Sequence, residues 1–116
     1  MRKRRLLVVD DDDAVLDYLR AKLAARYELV STTSSKEVVR LAREERPDLI
    51  LCDIDMPGMD GGDVSAALFA DDATRDIPLL FLSALVSASR PLGGRYAIAK
   101  SAPIPELTAK IESLLR

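Results

Sequence analysis

Short, unbroken apolar runs each end in a charged residue, and patterns of helical spacing lie between them. Leu6-Leu7-Val8-Val9 stops at Asp10 and Asp11, Leu49-Ile50-Leu51-Cys52 stops at Asp53, and Tyr96-Ala97-Ile98-Ala99 stops at Lys100. A run of four or five apolar residues without polar alternation suits a strand covered on both faces. Between the runs, Val15, Leu16, Leu19 and Leu23 recur at helical spacing, as do Val38, Leu41 and Ala42. Strands alternating with helices predict an α/β fold, a parallel sheet wrapped on both sides. Right-handed crossovers then gather the strand tips, and their charges, at one end of the sheet.

The remaining elements follow the same alternation. Tyr27 to Thr32 reads as a second strand, Asp63 to about Ala70 as a short helix, and Ile77 to Leu82 as a fourth strand. Asp12 or Asp13 is expected to cap the first helix. Ser34-Ser35-Lys36-Glu37 offers a capping box for the second, and Pro47 marks its stop. Pro105 fits the first turn of a final helix whose inner stripe is Leu107, Ile111, Leu114 and Leu115. The 116 residues suit a single domain spanning residues 1–116.

Composition narrows the chemistry. No histidine is present, so imidazole serves neither as metal ligand, general base nor phosphoryl carrier. The formal net charge of −2 gives no general attraction to nucleic acid. Cys52 is the single cysteine. It forms no internal disulfide, reads as a small core residue, and fits a cytoplasmic location. The basic start Met1-Arg2-Lys3-Arg4-Arg5 is followed by only four apolar residues before the aspartates. It reads as a solvated lead-in rather than a secretion signal, and no stretch reaches membrane-spanning length.

The strand tips carry the functional argument. If the first and third apolar runs are neighbours, Asp10 or Asp11 faces Asp53 across about 5 Å. Two bare carboxylates at that separation repel by roughly 3 kcal/mol at an effective dielectric of 20. Such a cluster calls for a cation, and oxygen ligands without His or Cys favour Mg²⁺, Mn²⁺ or Ca²⁺. Asp12 and Asp13 read as caps and turn formers, whereas Asp53 inside a buried run needs a partner. Asp53 is a candidate nucleophile, with Lys100 supplying an ammonium and Ser83 a hydroxyl to a phosphoryl group.

These residues resemble the receiver domain of bacterial two-component response regulators. The segments that carry the resemblance are Leu7 to Asp12, Pro47 to Gly61, Asp76 to Ala84, and Ala99-Lys100. The resemblance implies a flavodoxin-like sheet in the order 2-1-3-4-5 and Asp53 as phosphoacceptor. It implies Mg²⁺, with Mn²⁺ as a substitute, held by Asp10, Asp11, Asp53 and the backbone carbonyl of Asp55. Ser83 and Lys100 would stabilise the phosphoryl group, and Asp55 and Leu85 would tune its lifetime. The donor would be a phosphohistidine on a sensor histidine kinase or histidine phosphotransfer protein. The output would be a downstream protein of unknown identity, without direct nucleic-acid contact or membrane insertion.

Three departures from the family pattern set further expectations. Ser83 and Lys100 are 17 positions apart, shorter than usual, and the residues between are poor helix formers. A fourth helix is therefore expected to be short or absent. Ala97 and Ser101 stand where the family has an aromatic and a proline. Tyr96, the one candidate for the switch aromatic, is a residue early and points to the opposite face by alternation. Without a proline after Lys100, a cis peptide there loses its basis. Asp55 is charged, so it either orders a water or repels the phosphoryl group. No DNA-binding or catalytic output segment is recognised, which leaves action through partners, phosphoryl relay, or origin in a longer protein. Two alternatives are a pseudo-receiver that docks partners without phosphorylation and a haloacid-dehalogenase-like phosphatase using Asp53-Ile54-Asp55. The latter lacks the later acidic motif it would need.

Overall fold

The computed structural model describes residues 2–84, 90–92 and 95–116, with the backbone alone for 90–92. Six strands are present among the described residues: β1 (Arg5–Val9), β2 (Glu28–Thr32), β3 (Leu49–Asp53), β4 (Leu79–Ser83), β5 (Arg90–Leu92) and β6 (Arg95–Ala99). Four α-helices accompany them: α1 (Asp13–Leu23), α2 (Val38–Glu45), α3 (Gly61–Ala70) and α4 (Ile104–Leu114). The sheet order is β2-β1-β3-β4-β6-β5. All pairs are parallel except β5 with β6, which is antiparallel. The five parallel strands thus have the expected 2-1-3-4-5 arrangement, and β5 is an additional edge strand absent from the sequence reading. The stretch expected to hold a short or missing fourth helix lies largely at residues 85–89, outside the described residues.

Period-two alternation divides the apolar residues between two cores. Leu6, Val8, Leu49, Leu51, Leu80, Leu82 and Ile98 face α1 and α4, meeting Leu16, Leu19, Leu23, Leu107 and Ile111. Leu7, Val9, Ile50, Cys52, Leu79, Phe81 and Ala97 face the other side, where Val38 and Ala42 of α2 and Val64 and Leu68 of α3 cover them. Every residue of β3 and β4 is buried, as a central parallel strand requires.

Helix ends follow local chemistry. Asp12 caps α1 by accepting from the Ala14 amide at 2.9 Å. At α3, Asp60 and Asp63 exchange side-chain and backbone bonds in a full capping box, which satisfies donors the helix leaves unpaired. The box expected at Ser34 does not form. A 3₁₀ turn occupies Ser35–Glu37, Ser34 makes no side-chain cap bond, and α2 starts at Val38. The Ser34 amide instead donates to Thr32 Oγ1, a local bond that competes with capping. Helix α2 ends at Arg46 in the left-handed region (φ 48°), ahead of Pro47. Pro105 lies in the first turn of α4, as expected.

Candidate phosphoacceptor and metal site

The register of β1 on β3 pairs Val9 with Cys52, so Asp10 and Asp53 emerge side by side at the carboxyl ends of neighbouring strands. Strands β4 and β6 pair Ser83 with Ala99, placing Ser83 and Lys100 at the same end. The Lys100 amide donates to the Ser83 carbonyl at 2.9 Å, carrying the ladder one residue past β6. The tips that the sequence nominated therefore converge because β1, β3, β4 and β6 run parallel.

Asp10 is fully buried and Asp53 and Ser83 nearly so. The Asp10 Oδ1 accepts from the Asp12 amide at 2.9 Å. Its Oδ2 is enclosed and meets the Lys100 ammonium at 2.7 Å. Lys100 Nζ is also 3.4 Å from Asp53 Oδ2. Asp53 Oδ1 receives a long bond, 3.4 Å, from the Asp55 amide. Burial, reinforced by the Asp10 carboxylate, pushes the Asp53 carboxyl above its ordinary range against the pull of Lys100. Burial alone would lower the Lys100 ammonium, but the bond and charge of Asp10, with Asp53 behind it, carry it upward. One ammonium thus serves two carboxylates.

Asp10, Asp11 and Asp53 each present an oxygen within 4.8 Å of the others. Asp11 is exposed and completes the open side of the cluster. An all-oxygen set suits a hard divalent cation, and the buried Asp10 and Asp53 carboxylates share one ammonium between them. The residues present fit such an ion. Asp55 has an exposed side chain and reaches the cluster through its backbone amide. Leu85 lies outside the described residues. Cys52, immediately before Asp53, has its thiol pushed up to about 12 by burial and by the Asp53 and Asp10 charges. It is an inert core side chain, as its apolar context implies.

Tyr96 packs with the α1–α4 core, whereas Ala97 belongs to the opposite one. Lys110 Nζ sits 3.8 Å from the Tyr96 ring centre, a cation–π contact that holds the ring on α4. No cis peptide occurs among the described residues. Sequence reasoning missed two features. It did not pair Lys100 with Asp10, and it started the α3 helix at Asp63, two residues after Gly61, which opens α3 beneath the site. A methyl group at Gly61 would lie 2.9 Å from Ile54 Cα and 3.2 Å from the Asp53 carbonyl oxygen. The available signal was a glycine directly after a capping aspartate.

The sequence matches the response regulator receiver domain family over residues 6–112. It is 39% identical to the transcriptional regulatory protein PrrA of Mycobacterium tuberculosis, over 97% of this chain and 50% of that protein. It is 32% identical to the polar-differentiation response regulator DivK of Brucella anthropi, over 97% of this chain and 96% of that protein. The chain therefore spans about half the length of PrrA and nearly all of DivK. A similar fold occurs in the receiver domain of the sensor histidine kinase PA1611 from Pseudomonas aeruginosa (TM-score 0.86, 23% identity, 97% of this chain and 98% of that one). That structure was solved with a magnesium ion in its active-site cleft. The buried aspartates at the tips of β1 and β3, the lysine after β6 and the match over 107 consecutive positions, 6–112, place this chain in the response regulator receiver domain family.

Proposed function

We propose that residues 1–116 act as one receiver domain that takes a phosphoryl group onto Asp53 from a phosphohistidine on a histidine kinase or phosphotransfer protein. The observation that carries this reading is the Asp10–Lys100–Asp53 arrangement, with Lys100 Nζ 2.7 Å from one buried carboxylate and 3.4 Å from the other. In the reaction an Asp53 carboxylate oxygen attacks phosphorus. The N–P bond of the donor breaks, its electron pair stays on the imidazole, and an acyl phosphate forms on Asp53. Lys100 leaves its carboxylate partners to pair with the phosphoryl oxygens, and Ser83 offers its hydroxyl from the tip of β4. Asp10, Asp11, Asp53 and the Asp55 carbonyl would hold Mg²⁺, or Mn²⁺ in its place. Such an ion supplies positive charge that offsets the negative charge of the transferring group.

The domain is a signalling acceptor rather than a turnover enzyme, apart from slow loss of its own phosphoryl group. Asp55, exposed and two residues past Asp53, is placed to affect that loss. The phosphatase reading has no second acidic motif behind it, and the complete acidic and basic set disfavours a phosphorylation-independent pseudo-receiver. Among the described residues no helix is long and apolar enough to cross a membrane. We assign the chain a cytoplasmic place, where its kinase would act, with output through a protein partner.

The decisive experiment is incubation with a small-molecule phosphoryl donor and Mg²⁺, followed by intact mass measurement. The unaltered protein should gain one phosphoryl group, and Asp53→Asn or chelator-treated protein should gain none. Equal labelling of Asp53→Asn would overturn the assignment, as would an unlabelled wild type.

A further inference from the structure

The contact between α3 and the acceptor strand leaves no space for a side chain at Gly61. The Gly61 amide donates to the Ile54 carbonyl at 2.7 Å. A methyl at Gly61 would sit 2.9 Å from both Ile54 Cα and Phe81 Cε1. The first residue of α3 thus packs closely against both the backbone just past Asp53 and the ring of Phe81. A displacement of the Asp53–Ile54 segment toward α3 has to be absorbed. The Ile54 and Gly61 backbones are tied to each other, so the ring is the part that can yield.

Phe81 has somewhere to go. Its lateral neighbours on the sheet are Cys52 of β3 and Ala97 of β6, both small. Among the described residues, Phe81 also lines a groove of about 640 Å³ together with Ile54, Ala66, Phe69 and Arg95. Phe69, on α3, is 63% exposed at this groove, with the Arg75 guanidinium 5.5 Å from its ring centre. Ser83 lies two residues beyond Phe81 and is therefore on the same side of β4. A pull on the Ser83 hydroxyl by a phosphoryl group acts on the strand that carries the ring.

We propose that Phe81 is a two-position element that reports the state of Asp53: it rests against Gly61 when Asp53 is bare and turns into the groove beside Phe69 when Asp53 carries a phosphoryl group. The inference rests on the reading of Asp53 as phosphoacceptor. It places the change on the α3 side of the sheet rather than on Tyr96, which Lys110 holds against α4. A ligand shifts such an equilibrium only by interacting differently with the two positions. The close Gly61 contact and the Ser83 attachment supply that difference.

The chain has two phenylalanines, so 4-fluorophenylalanine labelling gives two ¹⁹F resonances, assigned with Phe69→Leu. Beryllofluoride with Mg²⁺ serves as the phosphoryl mimic, and its own bound ¹⁹F signal reports occupancy of the site. In the otherwise unaltered protein both ring resonances should move when the mimic binds. In Phe81→Leu, the single remaining Phe69 resonance should stay in place although the mimic still binds. Ala97→Val, a milder change that fills the space beside the ring, should suppress the Phe69 response in the same way. A Phe69 shift that persists in these variants, or a Phe81 resonance indifferent to bound mimic, would overturn the relay while leaving the acceptor assignment intact. Absence of any bound beryllofluoride signal would overturn the acceptor assignment and the relay together.

Discussion

Asp53 is held in an environment that disfavours its own charge, because burial and Asp10 outweigh the help from Lys100. Removing that charge should therefore stabilise the metal-free fold. Asp53→Asn is expected to gain about 1 kcal/mol, several degrees in thermal midpoint for a domain of this size. Adding Mg²⁺ should close the gap by raising the wild type more than the variant; paired melts with and without chelator check both parts. Tyr27 gives a pH-dependent case. Burial, then the bond and charge of Glu112, raise its phenol from 10.0 to about 12, and its hydroxyl donates to Glu112 Oε2. A folded pKa above the unfolded one means the contribution is complete below pH 10 and is lost as pH climbs to about 12. Because the Tyr27–Glu112 contact is only part-buried and solvent-screened, the loss should amount to about 1 kcal/mol. Tyr27→Phe should cost about 1 kcal/mol at neutral pH and show a flatter alkaline profile, measured by urea unfolding across that window. At this scale the sequence was informative about Asp10, Asp53 and Lys100, because charges at the ends of apolar runs are conspicuous. It was silent on Tyr27, whose partner Glu112 is 85 positions away and meets it only after α4 docks.

At the scale of elements, apolar period predicted the strands and helices well, and capping chemistry predicted them unevenly. Asp12 was readable because an aspartate before an apolar-periodic segment has few other uses. The Ser34 box failed because the Ser34 amide found Thr32 Oγ1 and the chain tightened into a 3₁₀ turn. The helix of the Asp63 segment was visible, yet its box was not, since aspartate rather than glutamate fills the returning position. Two substitutions probe helix ends. Arg46 closes α2 with φ at 48°, a region that costs a side-chain-bearing residue more than glycine. Arg46→Gly should stabilise by about 0.5–1 kcal/mol after the unfolded-state entropy of glycine is counted, as read from chemical denaturation. Gly61→Ala should do the reverse. With backbone atoms at 2.9 and 3.2 Å from the new methyl, α3 must shift, at a cost of about 1–3 kcal/mol. Its denaturation midpoint should fall while a Gly62→Ala control, which meets only a side-chain oxygen at 3.3 Å, changes far less.

For the molecule as a whole, the sheet separates two mainly aliphatic cores that share no side chain. The sequence showed this layering through unalternated runs in the central strands, and it showed the parallel order once the strand tips were matched to a known family. It did not show β5. Arg90-Pro91-Leu92 is too short to carry a period of its own. Amide exchange should rank the strands by cover, slowest in β3 and β4, whose residues are all buried, and faster in β2, whose residues are exposed or half-buried.

That added strand has a bearing on how copies of the molecule meet one another. Proline occupies sheet positions where its nitrogen faces away from the ladder, so the outer rim at Pro91 lacks an amide proton at the middle of its three residues. A neighbouring chain that tried to zip onto this side would find a missing rung, and growth toward fibrils would be denied its template there. The outward side of β2 is left as the rim from which unwanted strand-by-strand accretion has to be guarded.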